Sequence, residues 1–172
     1  MSDPIDQILD LASALRDVIP KTYVPPSSGT KPVTEQILPH SMVEGTRGYI
    51  VRVCYQINGC YEKGWYDGCA VMMRKLLETL IIEAFEKHHL ESTIKDATTN
   101  NFFYLGALIS AVLKESTWTL GRNSRQGLIE LKDLGDQSAH SRRFVAHRED
   151  IDKVSSDFRV VCQELLFIAG LA

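Results

Sequence analysis

Apolar residues recur at three- and four-residue steps along most of the chain, and this spacing restricts the fold more than any other feature. Residues 45–63 carry one apolar stripe on a predicted helix: Ile50, Val53, Cys54, Ile57 and Tyr61. No segment shows the sustained alternation of apolar and polar residues that is typical of a half-buried strand. The pattern therefore predicts an all-α protein.

The second predicted helix, over residues 65–89, has a wider apolar face than the first. Its inward-facing residues are predicted to be Trp65, Cys69, Met72, Met73, Leu76, Leu77, Leu80, Ile81 and Ala84. A helix with so wide a face is expected to lie centrally, with neighbours on several sides. Gly64 marks a tight turn before it, so the first two helices are predicted to form a hairpin.

Three more helices complete the predicted bundle of about five. Residues 101–115 predict a short apolar helix, and residues 124–139 predict a helix that Asn123 or Ser124 caps. The last predicted helix begins after Asp150 as its N-cap and carries an apolar stripe almost to the end of the chain.

The first part of the sequence is different in kind. Residues 4–19 have helical periodicity, Pro20 ends that helix, and the segment that follows is rich in Pro, Ser, Thr and Gly. One helix on such a tether cannot bury a core of its own. We therefore expect residues 1–43 to be an N-terminal helix and tether, and residues 44–172 to be the helical domain.

The composition of the 172-residue chain limits the classes of partner. Its net charge of −3 argues against a protein that coats nucleic acid through overall charge, although a local basic patch remains compatible with it. The longest mostly apolar run, residues 102–113, is too short to span a bilayer. The four cysteines form no C-x-x-C pair and are expected to be buried free thiols, so we expect a cytoplasmic protein without a membrane partner.

The most unusual segment is residues 140–148, which hold two histidines, three arginines and no acid. His140 lies at the end of a predicted helix, where a positive charge is favourable, and the arginines can neutralise a phosphate. A histidine and an arginine suffice for metal-free RNA cleavage, one moving a proton and the other stabilising charge. Ordinary helix capping explains the same residues, with Arg148 paired to Asp152.

Motifs for other chemistries are missing from the sequence. There is no phosphate loop ending in G-K-[ST], no H-E-x-x-H and no G-x-S-x-G. The adjacent pair His88 and His89 would point about 100° apart on a helix, which does not suit one metal ion. We therefore expect neither a metal nor a cofactor.

Four stretches, residues 64–81, 102–113, 128–143 and 150–166, together resemble the HEPN superfamily. The likeness covers roughly residues 49–171 and is greatest to a bacterial branch whose late helix ends in G-[ND]-x-[AS]-A-H, here "GDQSAH". It implies a bundle of four or five helices that commonly dimerises. Many members of this superfamily are metal-independent ribonucleases with an R-x(4–6)-H motif assembled across the dimer. Others lack that motif and serve as RNA-binding or interaction modules.

The resemblance assigns the motif histidine to His140, but the expected arginine is missing. For an R-x(4–6)-H motif that ends at His140, the arginine would have to be at position 133, 134 or 135. None of these positions holds an arginine, and the nearest base is Lys132. A literal R-x4-H runs from Arg142 to His147, within the connection between two helices. On an unbroken helix these two positions would lie about 140° apart and would not converge.

Two functions follow as hypotheses. The first is a non-catalytic or weakly active HEPN-like module for dimerisation and for binding RNA, a nucleotide or a protein. The alternative is a metal-independent endoribonuclease of toxin or antiviral type. The candidate binding residues are Asp136, His147 and Arg148, and the candidate catalytic residues are His140, Arg142 and Arg143. The missing arginine and the acidic net charge favour the first hypothesis.

We also expect a homodimer. The wide apolar face of residues 65–84, together with Phe102 and Phe103, offers more apolar surface than one small bundle needs. Symmetric pairing is the usual way in which such a surface is covered.

Overall fold

The computed structural model describes residues 36–172, so the predicted helix over residues 4–19 and most of its tether lie outside the described residues. The described part contains five α-helices and no β-strand. They are α1 (Gly48–Glu62), α2 (Tyr66–Lys87), α3 (Leu105–Lys114), α4 (Arg122–His140) and α5 (Arg148–Ile168). The predicted all-α bundle is thereby confirmed for this part of the chain.

Helix α2 is the centre of the bundle and packs against α1, α3, α4 and α5. Most of the residues predicted to face inward from it are buried: Cys69, Met73, Leu76, Leu77, Leu80, Ile81 and Ala84. The prediction for Trp65 is wrong, because its side chain is 66% exposed. Trp65 is the N-cap that precedes α2, so it does not share the helical stripe with the residues behind it.

The segment before α1 packs onto the same core. The side chain of Asn58 on α1 accepts a hydrogen bond from the backbone N–H of Leu38 at 3.0 Å and donates one to its carbonyl at 2.8 Å. Ile37, Leu38 and Val43 are buried. Among the described residues, buried side chains therefore begin at Ile37, ahead of the boundary predicted at residue 44.

The predicted N-cap of α4 is wrong. The cap is Gly121, and Asn123 and Ser124 lie in the first turn of the helix. The backbone N–H of Gly121 donates to Glu164 Oε2 on α5 at 2.9 Å, and a Cβ at this position would lie only 2.7 Å from Glu164 Oε1. A contact between two helices thus sets the start of α4, which the local sequence pattern does not reveal.

The predicted N-cap of α5 is also wrong, for a local reason. Helix α5 begins at Arg148 with His147 as its N-cap, and Asp150 lies in the first turn. The Asp150 carboxylate accepts a hydrogen bond from the backbone N–H of His147 at 2.9 Å. Asp150 thus contributes the acidic half of a capping box, three residues inside the helix.

All four cysteines are free. Cys54, Cys69 and Cys162 are buried as predicted, whereas Cys60 is only half-buried. Burial raises the pKa of the Cys54 and Cys69 thiols to about 12, so both are protonated and unreactive at neutral pH. Within residues 36–172, no helix combines the length and the apolar character that crossing a bilayer requires.

The apolar width of α2 is accounted for within one chain. Its buried residues contact neighbouring helices of the same bundle, and Phe102 and Phe103 pack, half-buried, against the same core. The surplus of apolar surface that motivated the predicted homodimer is therefore smaller than the sequence pattern indicates. The homodimer itself stays a prediction.

Candidate functional site

The basic segment, residues 140–148, consists of the last residue of α4, a loop and the first residue of α5. Helix α4 ends because Ser141 takes an extended conformation, with φ −77° and ψ 128°. The Ser141 hydroxyl then accepts hydrogen bonds from the backbone N–H groups of Arg143 and Phe144, at 3.4 and 3.2 Å. Serine thus builds the turn, as it commonly does at helix ends.

The loop is held to the bundle through its backbone. Asp67, in the first turn of α2, accepts a hydrogen bond from the backbone N–H of Ala146 at 3.0 Å. The Ala146 side chain is buried, and Phe144 is half-buried. At the end of the loop, the capping box of His147 and Asp150 orients the chain into α5. The main chain of the basic segment is therefore well anchored.

Its charged side chains, in contrast, point away from the bundle. All five basic residues of the segment are exposed: His140, Arg142, Arg143, His147 and Arg148. Within residues 36–172, the side chains of His140, Arg142 and Arg143 make no hydrogen bond, ion pair or ring contact. These three are the candidate catalytic residues predicted from the sequence.

Arg148 has internal partners, as the capping interpretation predicts. Its Nε lies 3.4 Å from Asp152 Oδ2, and its guanidinium carbon lies 5.3 Å from the centre of the Tyr61 ring. The Tyr61 hydroxyl donates to the same Asp152 carboxylate. Burial, followed by this hydrogen bond, raises the pKa of Tyr61 to about 12. Arg148 is therefore exposed to solvent and also helps to connect α1 to α5.

Asp136, a predicted binding residue, is the centre of an ion-pair network between α2 and α4. Arg74 Nε donates to Asp136 Oδ1 at 2.8 Å, and Lys132 Nζ donates to Asp136 Oδ2 at 2.7 Å. The hydrogen bond from Lys132, together with that from Arg74, holds the pKa of this carboxyl below its usual range. Lys132, the nearest base before His140 in the sequence, lies about two turns from it and is paired with Asp136.

The glycine of the "GDQSAH" ending has a packing role in the same network. A Cβ on Gly135 would lie 2.7 Å from Arg74 Cβ, so a larger residue would push the two helices apart. Gly135 and Asp136 together therefore seat the Arg74 side chain on α4.

Arg74 is the residue of this region that sequence reasoning missed. It lies on one row of α2 with Ala70, Leu77 and Ile81, all of which are buried. A charged residue within an apolar row predicts an oppositely charged partner on a neighbouring helix. That signal was present, but choosing Asp136 as the partner requires knowing that α2 and α4 are in contact.

The literal R-x4-H pair does not lie on one helix. Arg142 lies at the start of the loop after α4, and His147 is the N-cap of α5. Both side chains are exposed, and the backbone between them is anchored at Ala146.

Comparison of the chain with protein-family models, with curated proteins and with solved structures finds no match. The class that the described residues define is an all-helical bundle with an anchored, outward-facing basic loop between its last two helices.

Proposed function

We propose that this protein is a HEPN-like binding module that holds the sugar–phosphate backbone of RNA at the basic segment. The single observation that carries the proposal is the set of three exposed side chains, His140, Arg142 and Arg143, without an ionic partner in residues 36–172. A cation that already has a carboxylate partner must give up that pair to bind a phosphate. An unpaired guanidinium has no such cost and can bind two phosphate oxygens at once.

The anchored backbone supports the same proposal. Ordering a mobile loop on binding costs free energy, which lowers the affinity. Here Asp67 and the capping box of His147 and Asp150 already hold the loop, so only the long side chains lose freedom. Such a segment binds a polyanion by charge and position rather than by recognising a base sequence.

The arrangement of charges in the basic segment favours phosphate binding over catalysis. In a metal-free ribonuclease, the histidine needs a fixed relation to an arginine that stabilises the charged transition state. Arg74 and Lys132 are both engaged with Asp136. Among the described residues, the arginines nearest to His140 in the sequence are Arg142 and Arg143 on the loop. A partner subunit is the other possible source of an arginine.

The experiment that tests the proposal mixes the protein with labelled single-stranded RNA in EDTA and measures binding and cleavage together. The proposal predicts binding without turnover, weakened when Arg142 and Arg143 are replaced by alanine. Cleavage by the wild type that His140→Ala abolishes would establish the endoribonuclease alternative instead. The absence of both binding and cleavage would contradict the proposal.

The homodimer is a separate part of the proposal and needs its own measurement. Native mass spectrometry of the full chain is expected to give a dimer. A monomer at all concentrations would leave the RNA site intact but would remove any site composed across two subunits.

A further inference from the structure

Trp65 is an exposed aromatic residue two positions before Asp67, whose side chain holds the basic segment. Its side chain is 66% exposed at the turn between α1 and α2. A large indole left in water is unusual for packing alone and is a frequent feature of binding surfaces.

The main chain fixes the position of this tryptophan. The backbone N–H of Trp65 donates a hydrogen bond to the backbone carbonyl of Cys60 at 2.8 Å. The backbone carbonyl of Trp65 accepts one from the backbone N–H of Cys69 at 2.9 Å. The preceding Gly64 has φ +74°, which lets the chain reverse direction sharply before the indole. Hydrogen bonds therefore fix the backbone that carries the ring, so that binding has to order only the indole side chain.

One hydrogen bond connects this turn to the basic segment. Asp67, two residues after Trp65, accepts from the backbone N–H of Ala146 in the middle of the loop. Val145, next to Ala146, is 62% exposed. The indole and the arginines of the loop thus belong to the same end of the bundle.

The acids at this end are largely engaged in holding the structure. Asp67 binds the loop backbone, Asp150 binds the His147 N–H, and Asp152 binds Tyr61 and Arg148. Exposed acids also occur here, at Glu62 and Glu149. The loop of the basic segment still presents two adjacent arginines, Arg142 and Arg143. Neither forms an ion pair with a side chain in residues 36–172.

We propose that Trp65 is a stacking platform for an unpaired base of the polynucleotide whose phosphates the basic segment binds. The inference rests on the proposed function and adds to it a preference for single strands. A groove or loop that combines cations with an exposed aromatic face binds single strands, because stacking needs an unpaired base and tolerates any sequence. A base inside a duplex has both faces covered and cannot stack on the indole.

Three probes test the inference: a single-stranded oligouridine, its abasic analogue with the same ribose–phosphate chain, and an RNA duplex. The wild type is expected to bind oligouridine about tenfold more tightly than the abasic strand. Trp65→Ala is expected to lose this advantage while keeping its affinity for the abasic strand. Trp65→Phe keeps an aromatic face and is expected to retain most of the advantage.

The matched control is Phe167→Ala. Phe167 is 77% exposed, but it lies near the end of α5, about 30 Å along the helix from Arg148. Its removal is expected to leave binding of all three probes unchanged. A loss as large as that of Trp65→Ala would overturn the inference, because general surface hydrophobicity would then explain the binding.

Fluorescence gives a second readout that does not depend on affinity. The chain has two tryptophans, and Trp118→Phe leaves Trp65 as the only indole. Oligouridine is expected to quench its emission, and the abasic strand is not. Equal binding of oligouridine and abasic RNA without quenching would overturn the stacking role and leave the phosphate site standing. Binding of neither strand would overturn both, and a dimer lost in Trp65→Ala would make the indole a subunit contact instead.

Discussion

Asp136 and His140 are one helical turn apart on α4, yet their surroundings differ completely. Around Asp136, Arg74 and Lys132 satisfy the carboxylate, and Gly135 lets the arginine side chain lie against the helix. Around His140, the exposed imidazole and the side chains of Arg142 and Arg143 have no partner in residues 36–172. The comparison teaches that a charged residue's neighbours, not its place in a motif, indicate whether it supports the fold or is available to a ligand.

The largest expected effect comes from the buried side of α4. Leu128 is fully buried, so Leu128→Ala is expected to lower the free energy of unfolding by about 2–5 kcal/mol. The control, His140→Ala at the exposed end of the same helix, is expected to leave that free energy unchanged. Chemical denaturation measures both. Equal losses would mean that the end of α4 is packed as tightly as its middle.

A smaller effect is expected at Gly135, where alanine would meet Arg74. Overpacking costs about 1–3 kcal/mol, and the better helix propensity of alanine returns up to about 1 kcal/mol, which leaves a net loss. Gly59→Ala on α1 is the matched control, because nothing lies within 4 Å of its added Cβ. That variant is expected to gain stability. A gain at both positions in thermal unfolding would break the claim of close contact between α2 and α4.

The ion-pair network at Asp136 predicts a dependence on pH. Because the folded-state pKa of Asp136 is lowered, its stabilising effect is present above the unfolded value of about 3.9 and disappears as the pH falls through the folded value. Asp136→Asn is expected to cost about 1 kcal/mol at neutral pH, since both ion pairs are partly exposed to solvent.

Unfolding curves of the wild type and of Asp136→Asn, measured from neutral pH downwards, check this prediction. The two proteins are expected to differ from neutral pH down to about pH 4, and to converge as the pH falls further, through the lowered pKa of Asp136. A difference that persists into strong acid would show that Asp136 stabilises the fold by some means other than its charge.

How far the sequence predicts this molecule depends on whether a property is periodic. The stripe of α5 and the central place of α2 follow from apolar spacing, and the buried residues confirm both. Periodicity does not locate the first residue of a helix, so the pattern includes Trp65 in the stripe of α2 although its side chain is exposed. The cap at Gly121 depends on Glu164, which is distant in sequence and adjacent only after folding.

The candidate site divides in the same way. The sequence predicts where the basic residues are and that they follow a helix end, because composition and position are local properties. It does not predict that Asp67 anchors the loop or that Arg74 engages Asp136, since both contacts join separate helices.

The salt dependence of RNA binding tests the central claim most directly, that the basic segment binds phosphates. The affinity for single-stranded RNA would be measured from about 50 mM to about 200 mM salt for wild type, for Arg142→Ala/Arg143→Ala, and for Arg52→Ala/Arg122→Ala. The control pair is exposed, lies outside the segment and changes the net charge equally. The account predicts that only Arg142→Ala/Arg143→Ala makes the plot of the logarithm of the binding constant against the logarithm of the salt concentration less steep. Its slope is expected to fall in magnitude by about 1.4, for two lost phosphate contacts. Equal slopes for all three proteins would contradict it.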